Sequence, residues 1–189
     1  MKRLSLLFFA LALPCFAAAS ALAETPEPLG LWTGPMQGET PKTLSGAEVI
    51  DVETLARLKE QGALLLDVAM PQQKPEKVSP DATKDFPWSP IHYSLPGAVW
   101  LSDAGKGDPS TNYEQKFAAR IAALTGGDKQ KPVVTFCHPR CWGSWNAAKR
   151  LVMLGYINVF WFPGGVEGWQ EKFPVAPVKD DAAGTDRAK

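Results

Sequence analysis

Cysteine and histidine are scarce in this 189-residue chain, with three of the first and two of the second. So few thiols exclude a cross-linked mini-scaffold, and so few soft ligands leave little from which to build a metal centre. Net charge is missing too. Twenty basic residues balance twenty acidic ones, and no basic stripe with interleaved aromatics occurs. Neither nucleic acid nor an anionic membrane surface is an expected partner. The chain also lacks an apolar run long enough to span a bilayer. Its first apolar stretch, Leu4 to Pro14, follows Lys2 and Arg3 and leads into Ala21-Leu22-Ala23. That is the pattern of a cleaved export signal over residues 1–23. Cys15 would leave with it, and Pro14 before Cys15 suits a lipoprotein anchor poorly. A bacterial periplasm, an oxidising compartment, is the expected home, with no membrane contact after cleavage.

Residues 24–189 amount to one domain's worth, enough to bury a core without cross-links. Glu24 to Ser45 is rich in Pro, Gly and Thr and reads as an extended arm, with Trp32 and Met36 as its apolar anchors. Ala47 to Ile50 is a short strand, and Asp51 caps a helix carrying Val52, Leu55 and Leu58 that stops at Gly62. The run Ala63 to Val68 has the continuous apolar character of a buried parallel strand and ends at an acid, Asp67. Met70 to Leu95, with Pro71, Pro75, Pro80, Pro87 and Pro90, reads as a long loop. A third strand spans Ala98 to Leu101, and a helix runs from Tyr113 to Leu124, closed by Gly126-Gly127. Val133 to Phe136 is a strand, Ser144 to Leu154 a helix and Ile157 to Phe162 a strand. A short helix from Gly164-Gly165 to Lys172 follows. The domain is expected over 46–176, with a disordered tail over 177–189. Strands alternating with helices predict an α/β fold: an open, mainly parallel five-stranded sheet with helices on both faces.

The two cysteines of the mature chain lie in Cys137-His138-Pro139-Arg140-Cys141, between a strand and a helix. Unpaired N–H groups and the positive end of the helix dipole meet there and favour a thiolate. The expectation is an ionised, reachable sulfur at Cys137. In sheets of this kind ligands bind beyond the carboxyl ends of the strands, where both Asp67 and Cys137 are expected. A buried inert thiol is the alternative for Cys137. Trp142 and Trp145 could stack on a flat ligand or simply fill core. Asp67 could hold the neighbouring loop, and His92 reads as a solvated loop residue. His138 and His92 offer few metal ligands, and His138 adjoins Cys137 too closely to share an ion with it, so no metal is expected. Covalent haem is excluded because Trp142 stands where the haem-binding His would follow the second cysteine.

Together, Leu65-Leu66-Asp67-Val68, Leu95-Pro96-Gly97-Ala98, the cysteine loop, Asn146-Ala147-Ala148-Lys149-Arg150-Leu151, Leu154-Gly155-Tyr156 and Gly164-Gly165-Val166-Glu167-Gly168-Trp169 resemble rhodanese-like domains. The likeness covers roughly Ala47 to Val175. Within that superfamily, the export signal, Cys141-Trp142 and Trp145-Asn146-Ala147-Ala148 resemble the CxxCW proteins associated with PQQ-dependent catabolism. This chain has three residues between its cysteines where that pattern has two. The resemblance implies that Cys137 carries sulfur as a persulfide, and that loop N–H groups with Arg140 hold the anion. Cys141 would be a possible resolving thiol, and His138, Trp142, Gly143, Ser144 and Asp67 would surround the substrate. Sulfur transfer and thiol–disulfide chemistry both remain open. The implied partners are a small sulfur compound or a thiol redox protein, and a periplasmic quinoprotein dehydrogenase. A non-catalytic accessory of such a dehydrogenase is the rival reading. No cofactor is implied. Two departures stand out: Ala69 replaces the Arg usual two residues after the strand Asp, and Gly143 occupies the place of the phosphatases' clamping Arg.

Overall fold

The computed structural model describes residues 24–72, 90–102, 104–108 and 112–181. The proposed export signal with Cys15, most of the proline-rich loop and the end of the tail lie outside the described residues.

Five strands form one parallel sheet: β1 (Glu48–Val49), β2 (Leu64–Asp67), β4 (Val99–Trp100), β5 (Val133–Phe136) and β6 (Val159–Trp161), in the order β1-β6-β5-β2-β4. The two-residue period of a strand sends alternate side chains to opposite faces. Leu64, Leu66, Val133, Cys137, Val159 and Trp161 face one core, which α2 (Tyr113–Thr125) and α3 (Trp142–Met153) cover. Leu65, Val134, Phe136 and Phe162 face the other, under α1 (Val52–Glu60) and α4 (Gly165–Gln170). The predicted α/β sheet with helices on both faces is the observed architecture.

Local chemistry explains the helices. Asp51 caps α1 by accepting the Thr54 N–H at 2.8 Å, a hydrogen bond that holds its carboxyl below the usual range. Leu55 and Leu58 of α1 are buried at helical spacing. Helix α2 buries Tyr113, Phe117 and Ile121, and closes on Gly126 in the left-handed region at φ 68°. Helix α3 opens at Trp142, two residues before the predicted Ser144, because Cys141 takes the extended capping position without any side-chain cap bond.

Two expectations need correction. The proline-rich loop is not irregular to its end: His92–Ser94 form β3, paired antiparallel with β7 (Ala176–Val178). The same pairing orders the start of the expected disordered tail. Beyond it Asp180 bridges to Trp100, the Asp181 N–H binds the Trp100 carbonyl at 2.8 Å, and Arg120 Nε reaches Asp181 at 2.8 Å. Partners some eighty residues apart leave no local periodicity to read.

A buried cation fixes the segment after β4. Arg150 on α3 donates to Glu114 and to the Ala104 carbonyl, each at 2.8 Å, and to the Lys106 carbonyl. Arg150→Met would leave those carbonyls unpaired, and we expect a loss of about 2–4 kcal/mol. Thermal unfolding should show it as a fall in Tm of roughly 5–15 °C.

Candidate active site

The loop from Cys137 to Cys141 leaves the carboxyl end of β5 and enters α3, and the two cysteines are joined by a disulfide with their Cα atoms 6.5 Å apart. Cys137 has no exposed surface, and Cys141 keeps 8 %. The expectation of an open, ionised Cys137 is therefore overturned for this oxidised form. Its sulfur is bonded and lies 3.6 Å from the His138 carbonyl oxygen and 3.7 Å from that of Cys141.

Arg140, at the apex, has the only positive φ of a non-glycine among the described residues, 57°. Such a backbone costs about 1–2 kcal/mol. Its guanidinium does not lie against the sulfurs; it pairs in solvent with Glu39 of the arm at 2.9 Å. His138 also points outward, with Nδ1 2.8 Å from Glu167. The two histidines thus stand apart, each against its own carboxylate.

The N-terminal arm is bound to this loop, which sequence periodicity could not reveal. Gln37 bridges Cys141 in antiparallel fashion, the Gly38 N–H donates to the Arg140 carbonyl at 2.9 Å, and the Trp142 N–H donates to the Met36 carbonyl at 2.8 Å. Trp32 stacks on Trp142 with ring centroids 4.3 Å apart, and Trp142 meets Trp145 edge-on. Asn146, buried on α3, holds the arm from beneath. It accepts the Trp32 N–H at 2.7 Å and donates to the Trp32 and Gly105 carbonyls at 2.9 Å. Trp142 and Trp145 are core, and neither is open to a flat ligand while the arm is docked.

Ser144 is likewise a brace. Its hydroxyl donates to the Cys141 carbonyl at 3.3 Å and accepts Trp161 Nε1 at 3.0 Å, while its carbonyl accepts Thr135 Oγ1 at 3.0 Å. Asp67, fully buried at the end of β2, accepts from the Ala69 N–H (2.8 Å) and Ser94 Oγ (2.5 Å), and its other short partner is His92 Nε2 (2.7 Å). His92 stacks on Trp100 at 4.0 Å, so it is a partly buried partner of Asp67 and not the solvated residue expected. Both carboxylate oxygens of Asp67 are engaged within the fold.

Of the predicted site residues, Cys141 and Gly143 meet at one narrow cleft, walled also by Met36, Val68, Met70 and Gly105. Cys137, His138, Arg140, Trp142, Ser144 and Asp67 do not line it. A Cβ on Gly105 would come within 2.4 Å of the Gly143 Cα, and one on Gly143 within 3.3 Å of Cys141 Sγ. Two bare glycine backbones thus allow the cleft to reach the disulfide. The arrangement suits attack by a slender nucleophile on Cys141, with Cys137 as the leaving sulfur.

The family model for the rhodanese-like domain matches residues 51–172. No curated protein matches the chain. Among solved structures, a human single-domain sulfurtransferase is 21 % identical with a TM-score of 0.40, over 67 % of this chain and 97 % of that one. A Bacillus halodurans protein is 22 % identical with a TM-score of 0.41, over 68 % of this chain and 76 % of that one. An uncharacterised protein of Saccharomyces cerevisiae is 17 % identical with a TM-score of 0.37, over 66 % and 91 % of the respective chains.

Proposed function

Because this chain belongs to the rhodanese-like domain family, we propose that it transfers sulfur through a cysteine persulfide and rests as the Cys137–Cys141 disulfide. The observation that carries the reading is the bonded pair spanning the loop from the end of β5 to the start of α3. An external thiolate attacks Cys141 Sγ, the sulfur at the cleft, and the electron pair of the broken bond leaves on Cys137. A second thiolate then attacks the external sulfur of the mixed disulfide, and Cys141 departs with the electron pair. The reduced loop relaxes, and the amino end of α3 favours the thiolate of Cys137. That thiolate takes the outer sulfur of a donor such as thiosulfate: a bond forms between Cys137 and the outer sulfur, and sulfite departs with the electron pair. An acceptor thiolate or cyanide then removes the outer sulfur and returns the electrons to Cys137.

The export signal and Cys141-Trp142 support a periplasmic protein working beside a quinoprotein dehydrogenase, and this setting is part of the proposal. An oxidising compartment suits a resting disulfide. The arm packed over the loop favours one second reading, a non-catalytic accessory that binds its partner through this face. In that case serine at both cysteines leaves growth on alcohols intact.

Turnover decides the chemistry. Reduced protein given thiosulfate and cyanide is expected to produce thiocyanate, and protein held as the disulfide is expected to produce none. Equal rates from the two forms, or no thiocyanate from either, defeat the proposal.

A further inference from the structure

Only one of the two bonded sulfurs can be reached from outside. Cys141 lines the cleft and Cys137 is sealed, so any incoming nucleophile meets Cys141 first. The cleft is also very small. It offers about 20 Å³ of room for a water-sized guest, little more than the roughly 10–15 Å³ that one water requires. Its walls cannot easily yield. Gly105 and Gly143 meet backbone against backbone, and Met36 is held by the arm through its carbonyl's bond with the Trp142 N–H. Among the described residues on its walls Lys106 is the only charged one. A guest that fits is one heavy atom across, anionic and nucleophilic toward sulfur.

We infer that the oxidised protein captures hydrosulfide directly, and that the captured sulfur is carried on Cys141. HS⁻ attacks Cys141 Sγ and a new S–S bond forms to it. The Cys137–Cys141 bond breaks and its electron pair goes to Cys137. The products are a Cys141 persulfide, with the proton on its outer sulfur, and a Cys137 thiolate. The disulfide is the oxidant, reduced once for each sulfide sulfur raised to the persulfide level. This rests on the proposed sulfur chemistry of the loop and exchanges the parts of the two cysteines. Thiosulfate loads Cys137 of the reduced protein, whereas hydrosulfide loads Cys141 of the oxidised one. Larger thiols react more slowly than hydrosulfide, with Met36 as the size filter.

The test uses the whole protein, oxidised with diamide until no free thiol remains in the mature chain. It is treated with sodium sulfide, alkylated at once and digested with trypsin. Cleavage after Arg140 separates the two cysteines into different peptides. The expected result is an alkylated persulfide on the Cys141 peptide and a singly alkylated thiol on the Cys137 peptide. An extra sulfur on the Cys137 peptide, no extra sulfur on either, or failure to form the disulfide overturns the inference. Met36→Ala supplies the second arm. It is expected to speed reduction by glutathione about tenfold relative to reaction with hydrosulfide, because only the bulky thiol is held out by shape. An unchanged ratio removes the size filter. Thiosulfate loading of the reduced protein is measured separately, so either chemistry can fail without the other.

Discussion

Cys137→Ser is expected to abolish sulfur loading of the reduced protein, with thiocyanate formation at least about 10³-fold below wild type. The hydroxyl that replaces the thiol has no accessible anion near neutral pH, and no neighbouring base could generate one, since His138 is turned out to Glu167. Cys141→Ser is the informative companion. It removes the disulfide but leaves the sulfur at the end of β5, so the variant should load from thiosulfate without prior reduction. If Cys137→Ser keeps its turnover while Cys141→Ser loses it, the two cysteines have been given the wrong parts.

The second large effect concerns Asp67. Its carboxylate joins two segments, the strand exit through the Ala69 N–H and β3 through Ser94 and His92. Asp67→Ala strands these donors in the interior, each at a cost of about 1–3 kcal/mol, and leaves a cavity as well. A total loss of about 3–5 kcal/mol is expected, read in thermal unfolding as a Tm lower by roughly 10 °C or more. The consequence reaches the site, because Val68 and Met70, either side of Ala69, form part of the cleft wall. Asp67→Asn keeps one acceptor oxygen and should fall between wild type and alanine. An alanine variant as stable as wild type shows that the carboxylate holds nothing together.

How far the sequence could be read follows from the range of the interactions. The parallel strands were legible because continuous apolar runs such as Leu64-Leu65-Leu66 announce burial on both faces, and Asp51 and Gly126 mark helix ends by chemistry confined to one turn. The cysteine loop was legible for the same reason: both its anchors, β5 and α3, adjoin it in sequence. What escaped depends on distant partners. The pairing of β3 with β7, the arm lying along Cys141, and the His92–Asp67 contact each join residues far apart in the chain. Trp142 filling core and Asp67 holding the neighbouring loop were both among the readings the sequence left open, and the docked arm and the Ala69 N–H decide between them. The arm left one trace, Trp32 and Met36 amid polar residues, which signalled docking but not its target.

The account's central claim is that the loop passes sulfur through a persulfide gated by its own disulfide. The most direct measurement is the intact mass of the protein after thiosulfate treatment, in the reduced and the oxidised forms side by side. The account predicts a gain of one sulfur atom in the reduced form, located by tryptic digestion on the Cys137 peptide and removed by cyanide, with no gain in the oxidised form. Reduced protein of unchanged mass, or an added sulfur that cyanide cannot remove, contradicts it.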